Sequence, residues 1–206
     1  MASTASPYGF KPVNEVGGLP YAGSTRSFVL NPAGYGTNIF NGSLVYVATT
    51  GYLQLVTADG SDGTTNAFPA GTTLTGAVGV FVGCSYVNAQ GQTVFSQYYP
   101  ANSLNAVAFV VDDPNTVFQV QADGSLTIAA LGANVTLANA QSTSTGSTTT
   151  GNSNVAISAT TKTTTAPFRV IGFPNMVGFS VVGDAYTDTL VKWNPGWHSY
   201  TNVVGL

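Results

Sequence analysis

The apolar residues of this chain fall in short runs rich in Val, Ile, Tyr, Phe and Thr. Glycine, proline, asparagine or aspartate closes almost every run before a helix could complete a few turns. Such runs suit extended strands, whose side chains alternate between two faces, and lack the 3.6-residue apolar repeat of an amphipathic helix. Strands are predicted over Ser27–Leu30, Ser43–Thr49, Tyr52–Thr57, Gly79–Val87, Thr93–Tyr99, Ala106–Val111 and Thr116–Gln121. A second group is predicted over Asn154–Thr160, Pro167–Gly172, Phe179–Val182, Thr189–Trp193 and Ser199–Val204. Ala58-Asp59-Gly60-Ser61-Asp62-Gly63 and Ala122-Asp123-Gly124-Ser125 read as tight turns, because Asp and Gly tolerate positive φ.

Only residues 129–140 look helical, and Gly132 and Asn134 weaken that stretch, so one short helix at most is expected. Residues 141–153, almost pure Ser, Thr and Gly, read as a flexible, solvated loop. Many short strands with few helices and no repeat of fixed period predict an all-β fold. A sandwich or a barrel fits, with a jelly roll among the arrangements.

Residues 1–27 read differently from the body at 28–206. Pro7, Pro12 and Pro20, with Gly9, Gly17, Gly18 and Gly23, forbid helix and interrupt sheet pairing, which predicts an extended arm. Its aromatic residues, Tyr8, Phe10 and Tyr21, are either anchors for another surface or the means by which the arm wraps its own domain.

Across 206 residues, enough to bury roughly two thirds of the unfolded surface, hydrophobic side chains make up 44% and charged ones only 6%. A typical soluble domain carries about 25% charge, so hydroxyl and amide groups must keep this surface wet. A chain that apolar and that neutral folds rather than staying disordered, and such a surface favours association. Net charge is −3, and the basic residues Lys11, Arg26, Lys162, Arg169 and Lys192 are scattered. No basic stripe is available for nucleic acid or for an anionic membrane. Met1–Phe10 has no basic region leading into an apolar stretch, and no apolar run approaches the ~20 residues that span a bilayer, so no membrane partner is expected.

Three further segments resemble structural proteins encoded near the major capsid protein of tailed double-stranded DNA phages. They are Ser6-Pro7-Tyr8-Gly9-Phe10-Lys11-Pro12-Val13, Val111-Asp112-Asp113-Pro114-Asn115-Thr116-Val117-Phe118-Gln119-Val120-Gln121, and Thr164-Thr165-Ala166-Pro167-Phe168-Arg169-Val170-Ile171-Gly172. Val191-Lys192-Trp193-Asn194 and His198-Ser199-Tyr200 are also similar, while Trp193-Asn194-Pro195-Gly196-Trp197 departs from the pattern. The resemblance implies a capsid decoration or cement protein, made in the host cytoplasm and held on the capsid surface of the virion. Its partners would be the major capsid protein and further copies of itself, a trimer ahead of a dimer. Pro7, Tyr8, Phe10, Pro12 and Tyr21 would then be the arm's contacts with the shell.

The inventory for chemistry is thin: one His, one Cys and eight carboxylates. Neighbouring Asp112 and Asp113 point to opposite faces of a strand, and Pro114 makes a turn the better account. Asp59 and Asp62 lack the alternate acidic spacing and distal Glu of a calcium loop. A Cys84–His198 dyad has no third group to orient the imidazole, and Cys84 in its apolar run reads as a buried, inert thiol. No enzyme, metal or cofactor is expected. Trp193, Trp197 and Tyr200 read as core or subunit interface, or alternatively as a stacking platform for sugar rings in a carbohydrate-binding or adhesion module.

Overall fold

The computed structural model describes residues 4–58, 76–141, 146–174 and 180–202. In chain order its strands are β1 Lys11–Glu15, β2 Arg26–Val29, β3 Leu44–Val47, β4 Leu53–Leu55, β5 Gly79–Val87 and β6 Thr93–Ser96. They continue with β7 Leu104–Val111, β8 Thr116–Gln121, β9 Asn134–Val135, β10 Phe168–Gly172 and β11 Asp188–Trp193. Two antiparallel sheets pack together. The first has the order β1-β8-β11-β10-β9, and the second β2-β7-β5-β3-β4, with β6 also paired to β5. The fold is an all-β sandwich.

The core between the sheets joins Phe118, Val120, Phe168, Val170 and Val191 of the first sheet to Leu44, Val80 and Val111 of the second. A second apolar cluster lies on the far side of the second sheet, where Val45, Phe81, Cys84, Ala108 and Val110 meet Leu30, Ile39 and Tyr99. The second sheet is thus covered on both faces over part of its length, which explains why β5 and β7 are continuous apolar runs rather than alternating ones. Tyr99 holds the covering loops: its hydroxyl donates to the Ser103 carbonyl at 2.9 Å and accepts from the Tyr35 N–H at 2.8 Å.

The expectation of one short helix at most is met, while several other segments differ. The arm is not free of the sheets, because residues 11–15 form β1, antiparallel to β8, with a bulge between Pro12 and Asn14. Proline is tolerated on an edge strand or at a bulge, and Pro12 occupies both. No helix spans residues 129–140. A 3-10 turn at Ile128–Ala130 is followed by β9, with Gly132 at φ +83 breaking the helical path between them. The loop at 141–153 is built into the body where it is described: Gln141 and Ser153 are buried, and Gly146 bridges Ser153. Residues 142–145 of that loop lie outside the described residues, as do residues 59–63 of the first predicted turn.

The predicted strand at Asn154–Thr160 reduces to isolated bridges at Ile157. Ser180–Val182 is not in a strand, and Ser199–Thr201 is a 3-10 turn, while Phe179, Val203 and Val204 lie outside the described residues.

Candidate functional site

The segment before β1 is the most densely tied part of the candidate site. Phe10 is fully buried, its ring 4.8 Å from Phe168 and 6.0 Å from Phe118. Gly9 and Gly42, at φ +77 and +88, let two backbones touch there: a Cβ on either residue would lie 2.9 Å from the other's backbone. Only glycine fits so close an approach at positive φ.

Outside the core, on the far face of β8, Gln121 Oε1 accepts from the Ser6 N–H at 2.9 Å and its amide donates to the Thr4 carbonyl. The Tyr8 hydroxyl donates to Asp188 Oδ1 at 2.7 Å and accepts from Gln119 Nε2 at 2.9 Å. Asp188, only 5% exposed, also accepts from the Ser180 N–H and hydroxyl. Burial, and then the Asp188 carboxylate, push the Tyr8 pKa well above its ordinary value, so the phenol stays a neutral donor. Lys11 Nζ sits 4.3 Å from the Tyr8 ring centre, a cation–π contact.

Of the arm residues expected to touch a shell, Phe10 is therefore an internal core residue. Tyr8 is committed to Asp188 and Gln119. Pro7 and Pro12 are half-buried, and Tyr21 packs on the core with its hydroxyl donating to the Ser24 carbonyl at 2.7 Å. Between the two readings of the arm, these contacts are those of a segment wrapping its own domain. The part that stays outside is the loop between β1 and β2, where Val16 and Leu19 are exposed.

At the other end of the chain, Trp193 and Trp197 are buried, Trp193 against Phe168 at 4.5 Å. Neither indole offers a flat face to a sugar, which fits the core reading over the alternative stacking platform and leaves only Tyr200 exposed of the three. The Tyr200 hydroxyl donates to Asp112 Oδ2 at 2.7 Å, and Arg26 Nε reaches the same oxygen at 2.9 Å. Burial and Asp112 push the Tyr200 pKa up to about 12. Asp113 faces a different task, accepting from the Asn115 N–H at 2.8 Å in a turn.

His198 is fully buried, edge-on to Trp193 and Tyr200, and its Nδ1 accepts from the Tyr200 N–H at 3.2 Å. Burial lowers its pKa to about 4, so it is neutral at ordinary pH. Cys84 donates to the Tyr98 carbonyl and shares no partner with His198; burial pushes its thiol up to about 12. Because the thiolate is the nucleophile, a thiol reagent at about pH 8 is expected to label Cys84 only as fast as the chain unfolds, with prompt labelling in concentrated guanidinium. Labelling of the folded protein at the rate of a free thiol would contradict this burial.

Among the described residues no three His, Cys, Asp or Glu side chains gather as a metal site, and no helix is long and apolar enough to cross a membrane. A cavity of about 170 Å³ lies beside Pro7, Gln121, Asp123 and Tyr186. A more open groove of about 520 Å³ is lined by Ile128, Leu131, Ile171, Phe173, Val181 and Val182.

Sequence reasoning missed Asp188, Gln119 and Gln121 as the buried polar groups that fasten the segment before β1, and Gln141 as the amide buried beside β3. The signal was present in β8, where Gln119 and Gln121 alternate with Phe118 and Val120. The chain matches no protein-family model, no curated protein and no solved structure.

Proposed function

We propose that this chain is a non-enzymatic structural subunit of a virion, bound as a homo-oligomer to the outside of a tailed-phage capsid. There it stabilises the shell by clamping neighbouring major capsid subunits. One contrast carries the reading. Cys84 and Asp188 are buried and hydrogen-bonded internally, and His198 is fully buried with its Nδ1 accepting from the Tyr200 N–H, while Val16, Leu19, Phe95, Ile128 and Val181 stand exposed on a surface nearly without charge. Contiguous exposed apolar side chains mark contact surfaces, and Ile128 and Val181 share one groove with Leu131, Phe173 and Val182.

Each contact of such a subunit is small, and repetition over a symmetric lattice multiplies its strength. Binding the assembled shell and not its dissociated subunits shifts the equilibrium toward the intact particle. Since Phe10 and Tyr8 are used internally, we assign the arm's shell contact to the exposed loop at residues 16–25, with Val16 and Leu19 as its apolar tips.

The test uses particles of the encoding phage stripped of this protein and then refilled. Leu19→Asp combined with Val16→Asp is expected to lower occupancy about tenfold at subsaturating protein with an unchanged melting temperature. Undiminished occupancy would remove the loop from the contact. Failure of the unaltered protein to bind the stripped shells would overturn the reading itself.

A further inference from the structure

The second sheet is longer than the layer that covers it. Along β7, Val111 faces the core between the sheets, and Val107 and Phe109 share that face because side chains alternate along a strand. The register extends the face sideways. Ser27 of β2 and Gly83 of β5 lie opposite Phe109, Val29 and Ser85 lie opposite Val107, and Phe95 of β6 lies opposite Ser85. The Phe95 and Phe109 rings are parallel within 9°, 6.5 Å apart. Near the strand end Leu104 lies opposite Val87 and is exposed.

Among the described residues, nothing over this half of the sheet takes the place of the first sheet. Val29 is 51% exposed and Phe95 76%, with Val107 and Phe109 half-buried beside them. Not one residue in these rows is charged.

We propose that this uncovered half of the second sheet packs, about a two-fold axis, on the same face of a second copy of the chain. The inference deepens the homo-oligomer of the proposed function and rests on that reading for its setting. Charge selects the occupant. An ordinary protein surface would bring unpaired charges onto a face that has no counter-charge, and desolvating each costs several kcal/mol. The same face of a second copy brings none.

The Phe95 and Phe109 rings, from strands on either side of β5, lean together over Gly83 and Ser85 and form one apolar ridge. A two-fold operation sets it against the same ridge and its Val29 and Val107 flank in the other copy. The contact makes a dimer the building unit, in place of the expected trimer.

Size sets the strength. Four strands about 4.8 Å apart and about five residues long give a face on the order of 300 Å², under half of the roughly 800 Å² per partner of a standard interface. A weak, transient dimer follows, so the association is sought at protein concentrations from about 1 µM to 1 mM.

Sedimentation equilibrium on the full chain tests this. The unaltered protein is expected to move from monomer to dimer across that range. Phe95→Lys and Val29→Lys, both at exposed positions, are each expected to weaken association about tenfold or more with unchanged melting.

A monomer at about 1 mM, or a dimer indifferent to both substitutions, would overturn the inference. So would a monomer that binds a glycan through Phe95, which would assign the aromatic pair to sugar stacking instead. Refilling stripped shells with the same proteins separates the two claims. A monomeric protein that still saturates the shell defeats the dimer and leaves the capsid reading standing. A dimer that ignores the shell does the reverse.

Discussion

Phe10→Ala is expected to destabilise the protein by about 3–5 kcal/mol, the usual range for removing a buried aromatic ring. In a chain of this size that corresponds to a fall in melting temperature on the order of 10 °C by calorimetry. The ring is fully buried against Phe118 and Phe168, in the first sheet, and follows the contact of Gly9 with Gly42, two residues before β3. Losing it empties a site that rigid backbones on both sides cannot collapse to fill. Leu19→Ala, at an exposed position in the same predicted arm, is expected to leave the melting temperature within about 1–2 °C. Equal, small effects at both positions would mean that the segment before β1 is an appendage after all.

Gln141→Leu is the second large effect. The side chain is fully buried, its Oε1 accepting from the Leu44 N–H at 3.0 Å and its Nε2 donating to the carbonyls of Leu44 at 3.2 Å and Val56 at 2.9 Å. It closes the polar groups at the end of β3 and just past β4. Leucine keeps the volume but strands the Leu44 N–H and the Val56 carbonyl without water, although the Leu44 carbonyl keeps its bond from the Val56 N–H. The loss costs about 2–4 kcal/mol, or about 5–10 °C in melting temperature. Thr148→Ala, exposed in the same Ser/Thr-rich stretch, is expected to change stability by no more than about 0.5 kcal/mol. A neutral Gln141→Leu would show that the amide is not holding these backbone groups.

These two residues also mark where the sequence stopped being legible. Strands β5 and β8 were predicted to the residue, because Gly79–Val87 and Thr116–Gln121 combine β-branched or aromatic runs with clear turn residues at their ends. The all-β class followed from the same pattern. Proline density left the two readings of the arm open because it is a local signal, whereas the pairing of β1 with β8 joins residues about a hundred positions apart.

Composition likewise hid Gln141. A polar tract reads as solvated until a tertiary partner, here the end of β3, consumes its donors and acceptors. Trp193 and Trp197 were correctly named as core candidates, but burial was needed to choose between core and sugar platform. Asp188 was invisible because its role exists only when Tyr8, from the other end of the chain, arrives beside it. The apolar face of Val29, Val107, Phe109 and Phe95 was equally hidden, since its members lie on three strands and only their register makes them neighbours.

The most direct test of the account is an electron cryo-microscopy reconstruction of stripped phage shells refilled to saturation with this protein. The account predicts density on the outer surface, with the β-sandwich sitting over junctions between capsid subunits. The loop at residues 16–25 should touch the shell, and Phe10 and Tyr8 should remain inside their own copy. Shells without added density, or an N-terminal segment that leaves its own body to lie along a neighbouring subunit, would contradict it.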